Sequence, residues 1–175
     1  VLAYREEGYL PEAMVNFLAL LGWHPSDDRE IFSKEELVKV FEIARIQKSG
    51  AQMSDDKLDW INKEHIKRLP EEEIRGNIMG FLPEHIRSDK RAEKLVPVIL
   101  ERISKWSDVA KLIANGELDF FIKKPNYSKE KLLYKNTTEE QINHNLSLAI
   151  DELSQLEEDD FNFDNVKTVL MRIAD

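Results

Sequence analysis

The side chains best suited to chemistry in this 175-residue sequence are basic, and they form two clusters that each include a tryptophan. The first cluster comprises Lys57, Trp60, Lys63, Lys67 and Arg68. The second cluster comprises Arg87, Lys90, Arg91, Lys94, Arg102, Lys105 and Trp106. Lysine and arginine neutralise phosphates, and an aromatic ring stacks on a base or a ribose. Each cluster therefore predicts a surface that contacts a nucleic acid.

Each cluster also fits a plainer interpretation, in which the charged side chains are the solvated face of a helix. For Trp60 we expect a buried ring, with the neighbouring lysines as its solvated rim. The lysines and arginines themselves fit either interpretation, and these alternatives stay open at this point.

The chain offers no catalytic or metal-binding constellation. Its four histidines lie at positions 24, 65, 85 and 144, so none forms the i, i+4 pair of a helical zinc site. No G-x-S-x-G motif, phosphate-binding glycine loop or dinucleotide fingerprint occurs. The sequence has no cysteine, which excludes disulfides and thiolate metal sites and fits a reducing cytoplasm. We predict no catalytic residue, metal site or cofactor in this chain.

The net charge of −9 disfavours nucleic-acid binding on a global count, but the charges are unevenly distributed. Residues 136–175 hold two basic and ten acidic side chains, whereas residues 70–135 hold thirteen basic and eleven acidic ones. Affinity for phosphate depends on local positive patches, so both clusters remain candidates. No apolar run approaches the length of a membrane span, and the composition is typical of a globular domain.

The elements that must position these clusters follow helical spacing. Pro11 suits the first position of a helix, and Gly22 is placed to end that helix in a left-handed conformation. The apolar residues between them predict one buried face, made of Ala13, Met14, Phe17, Leu18 and Leu21.

Caps and breakers divide the rest of the chain into further helices. Ser33 with Glu36 forms a capping box, and Ser54 caps the helix that carries the first cluster. Asn62 is expected to interrupt that helix.

Further breakers follow in the second half. Pro70 opens a helix, Pro97 is expected to kink a later one, and Gly116 to end another. Thr137 with Glu140 predicts one more capping box. Every periodic stretch is helical, so the predicted fold class is all-α.

Two motifs resemble those of a known family. The segment Y-x-x-x-G-Y-L-P-E-A-x-x-N-F-L-A-L-L-G-W, over residues 4–23, resembles the segment after the active-site loop of glutamyl-tRNA synthetases, which are class I aminoacyl-tRNA synthetases. A second stretch resembles their pattern K-S-G-A-x-F-D-x-x-K-L-x-W-x-N, and it runs from Lys48 to Asn62. It departs from the pattern at Met53 and Ser54. The resemblance is specific over residues 1–68 and rests on helix order beyond them.

The resemblance implies an all-α tRNA-binding region with three parts. Residues 1–68 would form a stem-contact helical unit, and residues 69–123 a first subdomain of the anticodon-binding α-helix cage. Residues 124–175 would begin a second subdomain that is incomplete. The H-I-G-H-like and K-M-S-K-S-like signatures of the catalytic domain are absent, so the chain would be a C-terminal fragment without that domain.

The resemblance also assigns roles to the two clusters. The first cluster, together with Lys48, would contact the body of the tRNA, and the second would lie near the anticodon. Some members of the family place an arginine before an aromatic residue against the third anticodon base, and Lys105 before Trp106 matches that position. Lysine lacks the planar fork of arginine and cannot make the same bidentate contact with a base. The resemblance therefore implies a phosphate contact for Lys105 rather than discrimination between bases.

The full-length enzyme implied by the resemblance is a cytoplasmic glutamate–tRNA ligase that uses ATP and Mg²⁺. Its partners would be tRNA(Glu), with tRNA(Gln) as an open alternative, and the catalytic domain of the same chain. We expect this chain by itself to be a monomer without ligase activity and without membrane contact. A free-standing helical protein-interaction module with no RNA role is the alternative function, and an autonomous hydrolase has no residues to support it.

Overall fold

The computed structural model describes residues 2–47, 53–122, 124, 126, 128–133 and 137–174. Within these ranges the regular structure is helical, and the only β-type pairing is an isolated bridge between Trp23 and Ile46. The prediction of an all-α fold is confirmed. The α-helices are α1 (Leu2–Glu6), α2 (Pro11–Gly22), α3 (Lys34–Val40), α4 (Asp55–Ile66), α5 (Glu71–Phe81), α6 (Glu84–Arg87), α7 (Leu95–Arg102), α8 (Ser107–Ala114), α9 (Asp119–Ile122), α10 (Glu139–Leu153) and α11 (Phe163–Ala174). Short 3-10 turns lie at Ile43–Arg45, Ala92–Lys94, Lys129–Leu132 and Glu158–Asp160.

The chain divides into two compact units, Val1–Lys124 and Pro125–Asp175. In the first unit, apolar residues of α5, α7 and α8 form the main core, which the end of α4 also joins. Smaller apolar clusters lie between α2 and α4 and around Trp23. In the second unit α10 packs against α11, and Arg172 bonds Glu152 across that contact at 3.1 Å. The functional division at residues 68 and 123 stays a prediction.

Helix α2 begins as predicted but differs at two positions. Gly22 is part of the helix, and Trp23 then turns extended while its N–H donates to the Ala19 carbonyl at 3.0 Å. A left-handed Gly22 was a wrong prediction, because the extended Trp23 already closes the helix. Leu18 was also predicted wrongly as buried, since its side chain is 55% exposed. It lies roughly 100° around the helix from Phe17, which is buried against α4.

Two predicted helix starts and one helix end are confirmed. The Ser33 hydroxyl accepts the Glu36 N–H at 3.1 Å, and the Glu36 carboxylate accepts the Ser33 N–H at 2.7 Å. At the start of α4 the Ser54 hydroxyl accepts the Lys57 N–H at 3.3 Å. After α8, Gly116 has a φ of 71°, the left-handed conformation that glycine adopts without strain.

Three predicted features take a different form. Helix α4 runs through Asn62 without interruption, because tertiary hydrogen bonds satisfy its buried amide. Pro97 does not kink a helix, because α7 begins at Leu95 and Pro97 therefore lies in its first turn. The N–H groups of a first turn have no partner within the helix, so the missing N–H of a proline costs nothing there. The late capping box joins Thr138 to Gln141, one residue beyond the predicted pair.

Candidate nucleic-acid interface

Helix α4 presents the first basic cluster. Its buried side is formed by Leu58, Ile61, Asn62, His65 and Ile66, and Trp60 lies outside that side. Trp60 is 40% exposed, which overturns the expectation of a buried ring. The Lys57 ammonium lies 4.5 Å from the centre of the Trp60 ring, a cation–π contact at the surface. An exposed aromatic ring beside a lysine can stack on a base or a ribose.

Two lysines of this cluster form ion pairs at the surface of the protein. The Lys57 ammonium lies 2.5 Å from the Glu30 carboxylate, and Lys67 lies 3.1 Å from Glu64. Surface ion pairs of this kind contribute little, so a phosphate can compete for both lysines. The exposed Arg68 pairs with no carboxylate of the described residues. Lys48 lies outside the described residues.

Lys63 holds a different position, because its partner is a backbone carbonyl. Its ammonium donates to the Glu101 carbonyl oxygen at 2.5 Å, which ties α4 to α7. A carbonyl leaves the positive charge of the ammonium uncompensated. Lys63 therefore adds to the local positive potential while also linking two helices.

The second cluster divides into a surface group of four residues, an exposed Arg102 at the end of α7, and the inward-facing pair Lys105 and Trp106. The surface group contains Arg87, Lys90, Arg91 and Lys94, which are all exposed on or near α6 and the following 3-10 turn. Arg91 lies 5.0 Å from the centre of the Phe121 ring and binds Asp89 with two side-chain hydrogen bonds of 2.8 and 3.0 Å. These bonds lower the pKa of Asp89 to about 2.

The other surface charges of the second cluster differ in how they are paired. Arg87 pairs with Glu84, and Arg102 lies 3.8 Å from Glu117. Neither Lys90 nor Lys94 forms an ion pair with a carboxylate of the described part of the chain. These two lysines are the charges of the second cluster that are most available to a phosphate.

Lys105 and Trp106 are not on that surface. Trp106 is 8% exposed and belongs to the main core, and the Lys105 side chain is 12% exposed. The Lys105 ammonium donates to the Tyr9 hydroxyl at 2.8 Å and to Asp59 at 2.9 Å. Burial opposes the charge of Lys105, but the hydrogen bonds with Tyr9 and Asp59 outweigh it and raise the pKa of the lysine. Burial, together with the hydrogen bond to Asp59, raises the pKa of Tyr9 to about 12. Lys105 and Trp106 therefore contribute to the packing and hydrogen bonding of the first unit in this structure.

Sequence reasoning missed a buried polar network beside α4. The Asn16 amide donates to the Glu30 carbonyl at 3.1 Å and accepts the Phe32 N–H at 2.9 Å. His65 Nε2 lies 3.0 Å from the same amide oxygen, so this nitrogen carries the proton of a neutral ring. Burial and the nearby Arg68 charge lower the pKa of His65. The available signal was the position of Asn16, which lies on the buried face of α2 between Ala13 and Leu20.

The described residues hold no group of three acidic or histidine side chains that could bind a metal ion. Nor does any helix among them have the length and apolar character needed to cross a membrane. What the arrangement offers is positive charge and one exposed indole ring on the first unit, both suited to a polyanion.

Comparison with known protein families gives two matches, which together cover the whole chain. Residues 57–175 match the family described as "Anticodon binding domain". Residues 1–60 match the family described as "tRNA synthetases class I (E and Q), catalytic domain".

Similar proteins match over nearly the whole chain. A glutamate–tRNA ligase of Phocaeicola vulgatus is 39% identical over 97% of this chain and 32% of its own length. One of Geobacillus thermodenitrificans is 34% identical over 99% of this chain and 35% of its own length. The crystal structure of a glutamate tRNA ligase from Elizabethkingia meningosepticum in complex with its amino acid matches with a TM-score of 0.66 and 32% identity, over 98% of this chain and 33% of that one.

The chain spans about a third of the length of the curated relatives it matches. Its family match covers more than half of its residues, and its similarity to the ligases extends across both units. The anticodon-binding match begins within α4, the helix that carries the first basic cluster. The chain belongs to the anticodon binding domain family and is a relative of the glutamate–tRNA ligases.

Proposed function

We propose that this chain is the tRNA-binding part of a glutamate–tRNA ligase. The observation that carries the proposal is the exposed side of α4, where Trp60 and the surrounding basic side chains face solvent within a chain of the anticodon-binding family. The lysines and Arg68 would form ion pairs with phosphates of the RNA backbone, and a base or ribose would stack on Trp60. The surface group of the second cluster would contact the tRNA nearer its anticodon. Phosphate contacts of this kind fix position and orientation rather than sequence.

The activity of the whole protein follows from this proposal. The full-length enzyme would attach glutamate to tRNA(Glu) in the cytoplasm, with tRNA(Gln) as the alternative substrate. ATP and Mg²⁺ would act in the rest of the protein, together with the residues of its active site. We expect this chain alone to be a monomer that binds tRNA and shows no glutamate-dependent pyrophosphate exchange.

The test is a salt titration of tRNA binding by the isolated chain. If about four phosphates are neutralised, log affinity should fall against log salt concentration with a slope of roughly −3 to −4. A fourfold alanine variant of Lys57, Lys63, Lys67 and Arg68 should bind more weakly and show a flatter slope.

A matched control removes four positive charges from elsewhere on the chain. It replaces Lys34, Lys39, Lys111 and Lys167 by alanine, so that the change in net charge is equal. We expect the control to keep a slope close to that of the wild-type chain. Equal slopes for all three proteins would remove α4 from the tRNA interface and would favour the protein-interaction module instead.

A further inference from the structure

Three side chains from distant parts of the first unit converge on one point. Tyr9 lies just before α2, Asp59 lies in the middle of α4, and Lys105 lies in the corner between α7 and α8. The Lys105 ammonium donates to the Tyr9 hydroxyl at 2.8 Å and to the two Asp59 oxygens at 2.9 and 3.2 Å. The Tyr9 hydroxyl in turn donates to Asp59, so each member contacts the other two. The same ammonium lies 4.8 Å from the centre of the Tyr9 ring. We call this group the Lys105 triad.

Backbone contacts reinforce the same meeting point. The Asn62 side chain, one turn after Asp59, accepts the Leu10 N–H at 2.8 Å and donates to the Ser104 carbonyl at 2.6 Å. The N–H groups of residues 106 and 107 donate to the carbonyls of residues 8 and 7, both at 3.3 Å. The opening segment, α4 and the α7–α8 corner are thereby joined by side-chain and backbone hydrogen bonds together.

The position of the Lys105 triad relates it to both basic surfaces. Asp59 is adjacent to Trp60, whose exposed ring belongs to the α4 surface. Lys105 follows α7, the helix that begins directly after Lys94 of the second surface group. Any force that tilts the α7–α8 corner against α4 must therefore stretch or break the bonds of the triad.

We propose that the Lys105 triad is a joint that fixes the angle between the two basic surfaces, so that one tRNA can bind both at once. Lys105 is then a positioning residue, which acts through Asp59 and Tyr9 and does not touch the RNA. This inference rests on the proposed function and deepens it. Two weak contacts on one rigid body reinforce each other only when their spacing matches the ligand, and a loosened joint loses that gain.

The sign of one substitution separates this role from a simple charge effect. Asp59→Asn removes a negative charge beside the α4 surface, so electrostatics alone predicts tighter binding of tRNA. A joint predicts the opposite, since a neutral amide binds the Lys105 ammonium less strongly than a carboxylate does, and the Glu7 carboxylate is more distant, at 3.9 Å. We expect Asp59→Asn and Lys105→Met each to weaken tRNA binding by roughly fivefold to tenfold. The salt slope should stay unchanged, whereas loss of a lysine that contacts phosphate lowers it by about 1.

The matched control is Lys111→Met, which removes an exposed lysine from α8 whose ion pair is with Asp108 of the same helix. It should leave affinity close to that of the wild-type chain. Tyr9→Phe keeps every charge and removes only the bridging hydroxyl, so it should weaken binding in the same direction by a smaller factor. It also serves as the test variant if Asp59→Asn fails to fold.

A measurement without RNA distinguishes failure of the joint from failure of the proposed function. Hydrogen exchange of the Trp106 and Ser107 amides should accelerate in Asp59→Asn and Tyr9→Phe, because these amides bond across the joint. Exchange in α10 should stay unchanged. A wild-type chain that binds no tRNA would overturn the proposed function, and with it the use of the joint. Tighter or equal tRNA binding by Asp59→Asn, or a slope lowered by about 1 in Lys105→Met, would overturn the joint itself.

Discussion

The α4 surface and the α7–α8 corner each carry a tryptophan beside a lysine, yet the two pairs do different things. At the α4 surface the Trp60 ring is exposed and the Lys57 ammonium rests on it. At the corner Trp106 is in the core, and Lys105 turns inward to Tyr9 and Asp59. The same two residue types thus make a solvent-facing platform in one region and a structural joint in the other. The difference arises from the neighbours that each pair meets in space.

The sharpest way to break this comparison is to remove each tryptophan in turn. Trp106→Ala should lower the free energy of unfolding by about 3–5 kcal/mol, because it empties a site in the main core. Trp60→Ala should lower it by less than about 1 kcal/mol and instead weaken tRNA binding. Urea denaturation and tRNA binding of both variants test the pair. Equal losses of stability would show that the two rings share one role.

Gly8→Ala probes the corner from its other side. Gly8 has a φ of 84°, and a Cβ added there would lie 2.6 Å from the Trp106 Cβ and 2.9 Å from its backbone nitrogen. Backbone cannot give way as a flexible side chain can, so we expect a loss of about 1–3 kcal/mol in unfolding free energy. Gly80→Ala in α5, where an added Cβ meets nothing within 4 Å, is the control. It should not destabilise the chain.

The buried side of α4, opposite its exposed tryptophan, can be tested through the pH dependence of stability. The pKa of His65 is lowered from 6.5 in the folded chain, so the unfolded chain binds its proton more readily. Stability from this group is therefore full above pH 6.5 and declines as the pH falls through the range below it. Unfolding free energies between pH 5 and 8 should show this decline in the wild-type chain. The decline should shrink in His65→Gln but persist in His85→Gln, which alters an exposed ring.

The smallest effect is expected on the exposed side of α2. Leu18→Ala should change the unfolding free energy by no more than about 0.5 kcal/mol, because the leucine already faces solvent. Phe17→Ala, one position earlier, should cost about 3–5 kcal/mol through loss of a fully buried ring. Thermal melts of the two variants give the contrast. A large loss for Leu18→Ala would mean that another part of the protein covers this face.

The helices themselves were predictable from sequence because their signals are local. A capping box such as Ser33 and Glu36 joins residues three apart, and Pro11 needs only its own ring to favour a first turn. The same local reasoning gives a wrong prediction at Asn62. A polar amide within a helical pattern predicts an interruption of the helix, because its distant hydrogen-bond partners cannot be identified from sequence. Those partners, Leu10 and Ser104, lie 52 and 42 residues away.

The candidate site was predictable only in part, for the same reason. The grouping of lysines around Trp60 is visible in sequence because it follows one helix. The inward turn of Lys105 depends on Tyr9, which is 96 residues away, and no spacing rule connects the two. The rotation of α4 about its own axis decides that Trp60 is exposed and Leu58 is buried. That rotation depends on the contact of α4 with α2. Tertiary packing thus decided which of the two tryptophans could meet a ligand.

The unbroken course of α4 also bears on how such proteins can be assembled from parts during evolution. The two family matches overlap at residues 57–60, in the first half of this helix. A gene rearrangement that cut there would leave each product with only part of α4, and a cut after Leu58 would separate it from Ile61 in the hydrophobic cluster they share. Exchange of one anticodon-binding region for another is therefore expected to preserve α4 whole. We therefore expect the unit that is exchanged to begin at or before Asp55, the first residue of α4, and not at residue 57, where the anticodon-binding match begins.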